Sequence, residues 1–325
     1  MSAPLLEVEG LRTHFFTRAG VVKAVDGVSF TLGRGEILGL VGESGSGKSV
    51  TGFALLGLID PPGRIVDGSV RLEGEELVGM PSRALRRLRG RRISMVFQDP
   101  MMTLNPVLSV GTQMSLAIRA HDAVSDRAAR DRSAAVLARV GIPDARARLD
   151  AFPHEFSGGM RQRVAIAIAM AHSPAVIVAD EPTTALDVSI QAQILFEMRE
   201  LARDSGTALI WISHDLATVS SLAERILVMY AGRIVEEGAT AGVLRDPRHP
   251  YTRGLLDSLP ATAEPGRPLR QIPGATPSLL SLPPGCPFAP RCAHATGACE
   301  TDPPRRGEPG ADRAYRCHHP LGRAA

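Results

Sequence analysis

Apolar residues along this chain follow two rhythms. Short continuous runs occur at Glu36-Ile-Leu-Gly-Leu-Val41, Ala175-Val-Ile-Val-Ala179 and Ala208-Leu-Ile-Trp-Ile212. Such runs predict strands buried on both faces, as parallel strands in a helix-covered sheet must be. Between them lie longer helical stretches. Lys48 to Leu58 predicts the helix that follows the first strand, and the charge-rich segment from Thr112 to Leu149 predicts a helical insertion into the core. The most apolar stretch, Val164 to Ala179, is too short to span a bilayer and is broken by His172-Ser173-Pro174. It reads as a helix leading into a buried strand. No tandem repeat or heptad run is present. Strands alternating with helices place the chain in the α/β class.

Composition refines this picture in three places. At 325 residues with 44% hydrophobic content, the chain suits one sizeable domain plus an extension. Thirteen of the 25 prolines and all four cysteines lie between Asp257 and Ala325, which sets an expected boundary between residues 1–256 and 257–325. The formal charge of +3 offers no electrostatic footprint for nucleic acid. Arg83, Arg86, Arg87, Arg89, Arg91 and Arg92 cluster without interleaved aromatics, the pattern of a solvated helix face. Met1-Ser-Ala-Pro-Leu-Leu-Glu-Val-Glu carries no signal-peptide pattern, so a soluble, cytoplasmic protein without structural disulfides is expected. Lys23 and Lys48 are the only lysines among 37 basic residues, which makes a lysine inside a glycine-rich loop stand out.

That loop, Gly42-Glu-Ser44-Gly45-Ser46-Gly47-Lys48-Ser49, satisfies G-x-x-x-x-G-K-[ST] between a predicted strand and a predicted helix. Glycines allow a turn tight enough for successive N–H groups, through Val50, to converge on phosphates at the helix N-terminus. Lys48 is expected to reach the β- and γ-phosphates of ATP, and the Ser49 hydroxyl to ligate Mg²⁺. Asp180 and Glu181 follow the run Ala175–Ala179, where a metal-binding carboxylate belongs in an open α/β sheet. Asp180 on the metal and Glu181 as general base divide the labour of hydrolysis.

Phe156-Ser157-Gly158-Gly159-Met160-Arg161-Gln162 resembles the signature motif of ABC ATPases, and the order of P-loop, Gln98, signature, Asp180-Glu181, Ala185-Leu186-Asp187 and His214 resembles theirs as well. The likeness runs from about Leu5 to about Ser258. It implies a P-loop ABC ATPase domain with a RecA-like core, an antiparallel β subdomain and a helical subdomain, followed by an irregular Pro/Cys-rich extension. It further implies that Ser157, Gly158 and Gly159 touch ATP held by a second ATPase subunit, and that Asp187 lies at that dimer interface. Gln98 is implied to sense Mg²⁺ and the attacking water, and His214 to hold the γ-phosphate. The adenine-stacking aromatic is usually Tyr; Phe15 is the match here, with Phe16 as its rival. Phe156 and Met160 stand where Leu and Gln are commoner, at positions not credited with phosphate contact.

Phe97-Gln-Asp-Pro-Met101, Asn105-Pro106, Val228-Met-Tyr-Ala-Gly232 and Arg248-His249-Pro250-Tyr251-Thr252 resemble ATP-binding subunits of dipeptide and oligopeptide importers. That branch implies two membrane permease partners, an external substrate-binding protein and a peripheral position on the cytoplasmic face of the membrane, with nickel or other small solutes as alternative cargo. Cys286, Cys292, Cys299 and Cys317 lack the close C-x₂₋₄-C pairs of a structural zinc site. In members of the branch a comparable tail holds a [4Fe–4S] cluster; zinc and free thiols are the competing expectations. A non-transport ABC ATPase and an iron–sulfur sensor are the rival function classes.

Overall fold

The computed structural model describes residues 3–184, 186–260, 270–308 and 312–322. The chain opens with β1 (Leu6–Thr17), β2 (Gly20–Leu32), β3 (Ile37–Val41), α1 (Lys48–Leu55), β4 (Gly63–Leu72) and β5 (Glu75–Glu76). It continues through α2 (Ser82–Leu88), β6 (Ile93–Val96), α3 (Pro100–Thr103), α4 (Val110–Arg119), α5 (Asp126–Arg139), α6 (Ala145–Arg148), α7 (Gly158–Met170), β7 (Val176–Asp180) and α8 (Val188–Ser205). The remainder comprises β8 (Ala208–Ser213), α9 (Leu216–Leu222), β9 (Arg225–Tyr230), β10 (Arg233–Ala239), α10 (Thr240–Arg245), α11 (Pro250–Asp257), β11 (Arg305–Gly307) and β12 (Arg313–Arg316). Two compact units result: one of residues 1–32, 37–78 and 211–325, the other of residues 33–36 and 79–210.

In the first unit, β1 is flanked by the antiparallel strands β2 and β4, and β5 completes a four-stranded sheet. Its strands alternate buried and partly exposed positions, as expected when one face covers a core. A second set of strands pairs β3 in parallel with β9, which then pairs antiparallel with β10. Here the C-terminal extension joins the sheet, because β12 adds to β10 with Tyr315 opposite Glu236, and β11 pairs with β12. A segment with little core of its own gains backbone partners by extending a sheet edge. The predicted boundary near residue 257 is therefore bridged by main-chain hydrogen bonds.

The second unit holds the parallel pair β6–β7 and the helical segment. β7 is buried at every position, as its unbroken apolar run predicts. It includes Asp180, so the carboxylate is the last residue of the strand and not the first of the following loop. α7 packs on β6 and on α3, α4 and α5, and Ile118, Ala129 and Ala171 form a small core among these helices. Ser109 and Ser125 cap α4 and α5 through their hydroxyls, which fixes where each helix begins. The Thr112–Leu149 insertion is thus helical as expected. α2 buries Leu85 and leaves Arg83, Arg86 and Arg87 in solvent, the solvated arginine face expected there.

Candidate functional site

The phosphate loop lies between β3 and α1 in the first unit. Gly47 caps α1 with φ 104°, and a Cβ there would stand 2.2 Å from the Ala24 carbonyl oxygen. A Cβ on Gly42 would stand 2.2 Å from the Met229 carbonyl oxygen. Both are backbone collisions, so the loop keeps its shape only with glycine at these two positions. Ser44 and Gly45 are exposed at the turn, while Ser46 and Lys48 are buried. The Lys48 ammonium donates to the carbonyls of Gly42 (2.8 Å) and Glu43 (2.9 Å), which ties the end of the loop back to its beginning. Ser49 and Val50 follow in the first turn, both half-buried. α1 ends at Leu55, earlier than Leu58. Leu58 N–H donates to Phe53 and Gly57 N–H to Ala54, and Gly57 is left-handed, the geometry of a glycine-terminated helix.

The adjacent carboxylates Asp180 and Glu181 belong to the second unit. Asp180 is 3% exposed, and Glu181 follows it with φ 45°, an uncommon left-handed backbone for a residue with a Cβ. The Glu181 carboxylate accepts from Gln98 Nε2 (3.3 Å) and from the Thr184 hydroxyl (3.1 Å). Two residues 83 positions apart thus meet at one oxygen. Two donors and a left-handed backbone restrict the orientations open to this carboxylate. Thr184 was not singled out in the sequence; the i+3 spacing from Glu181 in a turn was its only signal.

In the same unit, Ser157 is the N-cap of α7, and its hydroxyl accepts from Met160 N–H at 3.3 Å. The helix therefore starts at Gly158, inside the signature motif itself. A Cβ on Gly159 would lie 2.7 Å from Ile190 Cγ2, and one on Gly158 would lie 3.6 Å from Leu186 Cδ2. Gly159 lets the signature turn pack closely against the start of α8, where exposed Asp187 is the N-cap, while a Cβ on Gly158 would make only ordinary contact. Ala185 of the Ala-Leu-Asp motif lies outside the described residues.

His214 is exposed directly after β8, and Asp215 caps α9 by accepting from Ala217 N–H at 2.9 Å. Phe15 and Phe16 part company: Phe15 lies against Gly63, where a Cβ would be 2.5 Å from its Cε1, and Phe16 is 39% exposed beneath the Arg64 guanidinium, 4.2 Å from the ring centre.

Cys286, Cys299 and Cys317 are buried and Cys292 is half-buried; none is in a disulfide. Cys286 N–H donates to the Cys299 carbonyl, and each thiol lies within electrostatic range of others in the set. Burial pushes the Cys317 thiol up to about 11. Among the described residues, no three His, Cys, Asp or Glu side chains are arranged to hold a single metal ion. That absence applies to zinc and to an iron–sulfur cluster alike.

Sequence reasoning passed over one residue inside the loop itself. Glu43 occupies a variable position of the pattern, yet both its backbone N–H and its carboxylate are bonded. Its N–H donates to Tyr251 Oη (2.8 Å), and its carboxylate meets the Arg291 guanidinium at 2.6 and 3.0 Å. Only chain topology could reveal this, since 208 and 248 residues separate the partners.

A strand–glycine loop–helix in the first unit and, in the second, a buried strand that ends in an acidic residue are the parts of a P-loop nucleotide hydrolase. Residues 25–184 match the family described as ABC transporter, and residues 235–299 match the oligopeptide/dipeptide transporter C-terminal region. The dipeptide transport ATP-binding protein DppD of Haemophilus influenzae is 48% identical, with 98% of this chain and 96% of that protein aligned. The oligopeptide transport ATP-binding protein OppD of Salmonella typhimurium is 49% identical across 98% of this chain and 94% of its own length. Among solved structures, a dimeric ATP-binding cassette, MJ0796, bound to ADP and Pi superposes with a TM-score of 0.65 at 26% identity, covering 72% of this chain and 98% of that one. The chain belongs to the ATP-binding subunits of ABC transporters, in the dipeptide/oligopeptide branch. No helix among the described residues is long and apolar enough to cross a membrane.

Proposed function

We infer that this chain hydrolyses ATP to drive uptake of dipeptides or oligopeptides through two partner permeases supplied by an external binding protein. The observation that carries this reading is the alignment of dipeptide and oligopeptide transport subunits over 98% of the chain, cysteine-bearing tail included. Lys48 and the N–H groups from Gly42 to Val50 hold the phosphates, Phe15 stacks on adenine, and His214 steadies the γ-phosphate. Asp180 and Ser49, with Gln98, offer the hard oxygens that Mg²⁺ prefers, and the ion offsets phosphate charge when bound. Glu181, aimed by Gln98 and Thr184, takes the proton of the attacking water.

Ser157, Gly158 and Gly159 serve the ATP of a second subunit, self or homologue, with Asp187 at the shared interface. ATP closes the pair, and hydrolysis at the cytoplasmic membrane face reopens it. Glu181→Gln is expected to bind ATP as the parent does and to lose at least about 100-fold in turnover, the contribution of a positioned base. Turnover within a few-fold of the parent would sink the assignment.

We also assign Cys286, Cys292, Cys299 and Cys317 to a [4Fe–4S] cluster. Four cysteines gathered in the extension, none in a disulfide, support that reading. Ligation by thiolates releases the thiol protons.

A further inference from the structure

We propose that Arg291 is a positioning residue for nucleotide binding: from the cysteine-bearing extension it grips Glu43 and thereby sets the conformation of the phosphate loop. This rests on reading the loop as the ATP site.

Glu43 is bonded through its N–H, its carbonyl and its carboxylate. Arg291 meets both carboxylate oxygens in a two-pronged fork, at 2.6 Å and 3.0 Å. Thr276 adds a hydroxyl donor to the same carboxylate at 3.2 Å. Tyr251 accepts from the Glu43 N–H, and Lys48 donates to the Glu43 carbonyl. The amino group meant for phosphate is thus oriented by a peptide whose other polar groups are held by residues beyond position 250.

Arg291 is itself locked. Its side chain is 5% exposed, Nε donates to the Pro273 carbonyl at 2.9 Å, and Nη1 donates to Tyr230 Oη at 3.3 Å. Its guanidinium lies over the rings of Tyr230 and Phe288. Tyr230, Tyr251 and Phe288 pack ring on ring, with centroids 4.6 to 5.4 Å apart, and all three are buried. Met229, next to Tyr230, presents its carbonyl and methyl group to Gly42 and Gly47. A two-pronged fork of this kind fixes direction as well as distance, which a lysine ammonium cannot do. The next residue after Arg291 is Cys292, so any rearrangement of the cysteine segment pulls directly on this clamp.

The test is a double-mutant cycle on the full-length chain, reading Mg·ATP affinity by calorimetry together with the thermal midpoint. Arg291→Gln and Glu43→Gln are each expected to weaken ATP about tenfold, the scale of one charged hydrogen-bond pair. The double variant should be no weaker than the weaker single, and Arg291→Lys should fall between parent and Arg291→Gln. A purely structural arginine would lower the midpoint and leave the affinity of the folded protein unchanged, which would overturn the proposal. Additive losses in the double variant would overturn it too. Should Arg291→Gln fail to fold, Glu43→Gln alone decides, because parent-like affinity there removes the clamp from the argument. Lys48→Ala separates the two levels. If it abolishes binding while the clamp variants bind like the parent, the ATP reading stands and the clamp falls. If it leaves binding intact, the ATP reading falls and the clamp with it.

Discussion

His249 makes acid stability of the extension a quantitative matter. It caps α11, accepting from Tyr251 N–H on Nδ1 at 3.0 Å, and its own N–H donates to the buried carboxylate of Glu236. The ring is buried, with Phe288 at 5.8 Å between centroids and the Arg316 backbone as its other hydrogen-bond partner. Burial pushes its pKa down from 6.5 to about 3. The unfolded chain therefore binds a proton below 6.5 that the native ring refuses until about 3, so stability is intact above 6.5 and is lost as pH falls between those values. At about pH 5 the loss from this one ring is ~2 kcal/mol, from 1.36 kcal/mol per unit over the interval below 6.5.

His172 and His14 are also lowered by burial and act with the same sign, so a single curve does not isolate His249. His249→Asn does, since asparagine keeps a helix-capping oxygen and does not titrate. Urea unfolding of parent and variant between about pH 8 and pH 5 should show the variant less stable at the alkaline end and losing ~2 kcal/mol less on acidification. Parallel pH profiles for the two proteins would refute the reasoning. The consequence reaches the ATP site, because α11 carries the Tyr251 hydroxyl that holds Glu43.

Two further outcomes are expected. Gly63→Ala places a Cβ 2.5 Å from Phe15 Cε1 and 2.8 Å from Ile59 Cγ2, so the ring must move. If Phe15 stacks on adenine, ATP affinity measured by titration falls by the ~1 kcal/mol typical of one aromatic contact, whereas Phe16→Ala leaves it unchanged; the reverse pattern assigns the role to Phe16. Anaerobically purified protein should carry about four irons and four sulfides per chain, lost together on Cys317→Ser; stoichiometric zinc in place of iron would refute the cluster.

Much of the chemistry lies in local sequence. The phosphate loop, the signature turn and the acidic end of β7 are each contiguous, and each depends on backbone conformations that Gly, Ser and a buried apolar run impose within a few residues. Gly57 marked the end of α1, and capping by Ser157 marked the true start of α7, through local rules that a pattern of apolar spacing alone overlooks. The meeting of Gln98 with Glu181 was legible only as two separate motifs; the strands β6 and β7, parallel neighbours, bring them to one oxygen.

Other features depend on folding across long sequence separations. Nothing near Glu43 in the chain indicates a partner, and nothing near Arg291 indicates a loop residue to hold. Their pairing exists because β12 adds to β10 and α11 packs beside Tyr230, which brings the extension behind the phosphate loop. The same closure buries Glu236 against Arg313 and the N–H groups of Arg248 and His249. Motifs are local because a phosphate or a water is small enough to be gripped by one turn of chain. A clamp on that turn must come from outside it, so its residues are selected by three-dimensional packing, and only the tertiary structure names them.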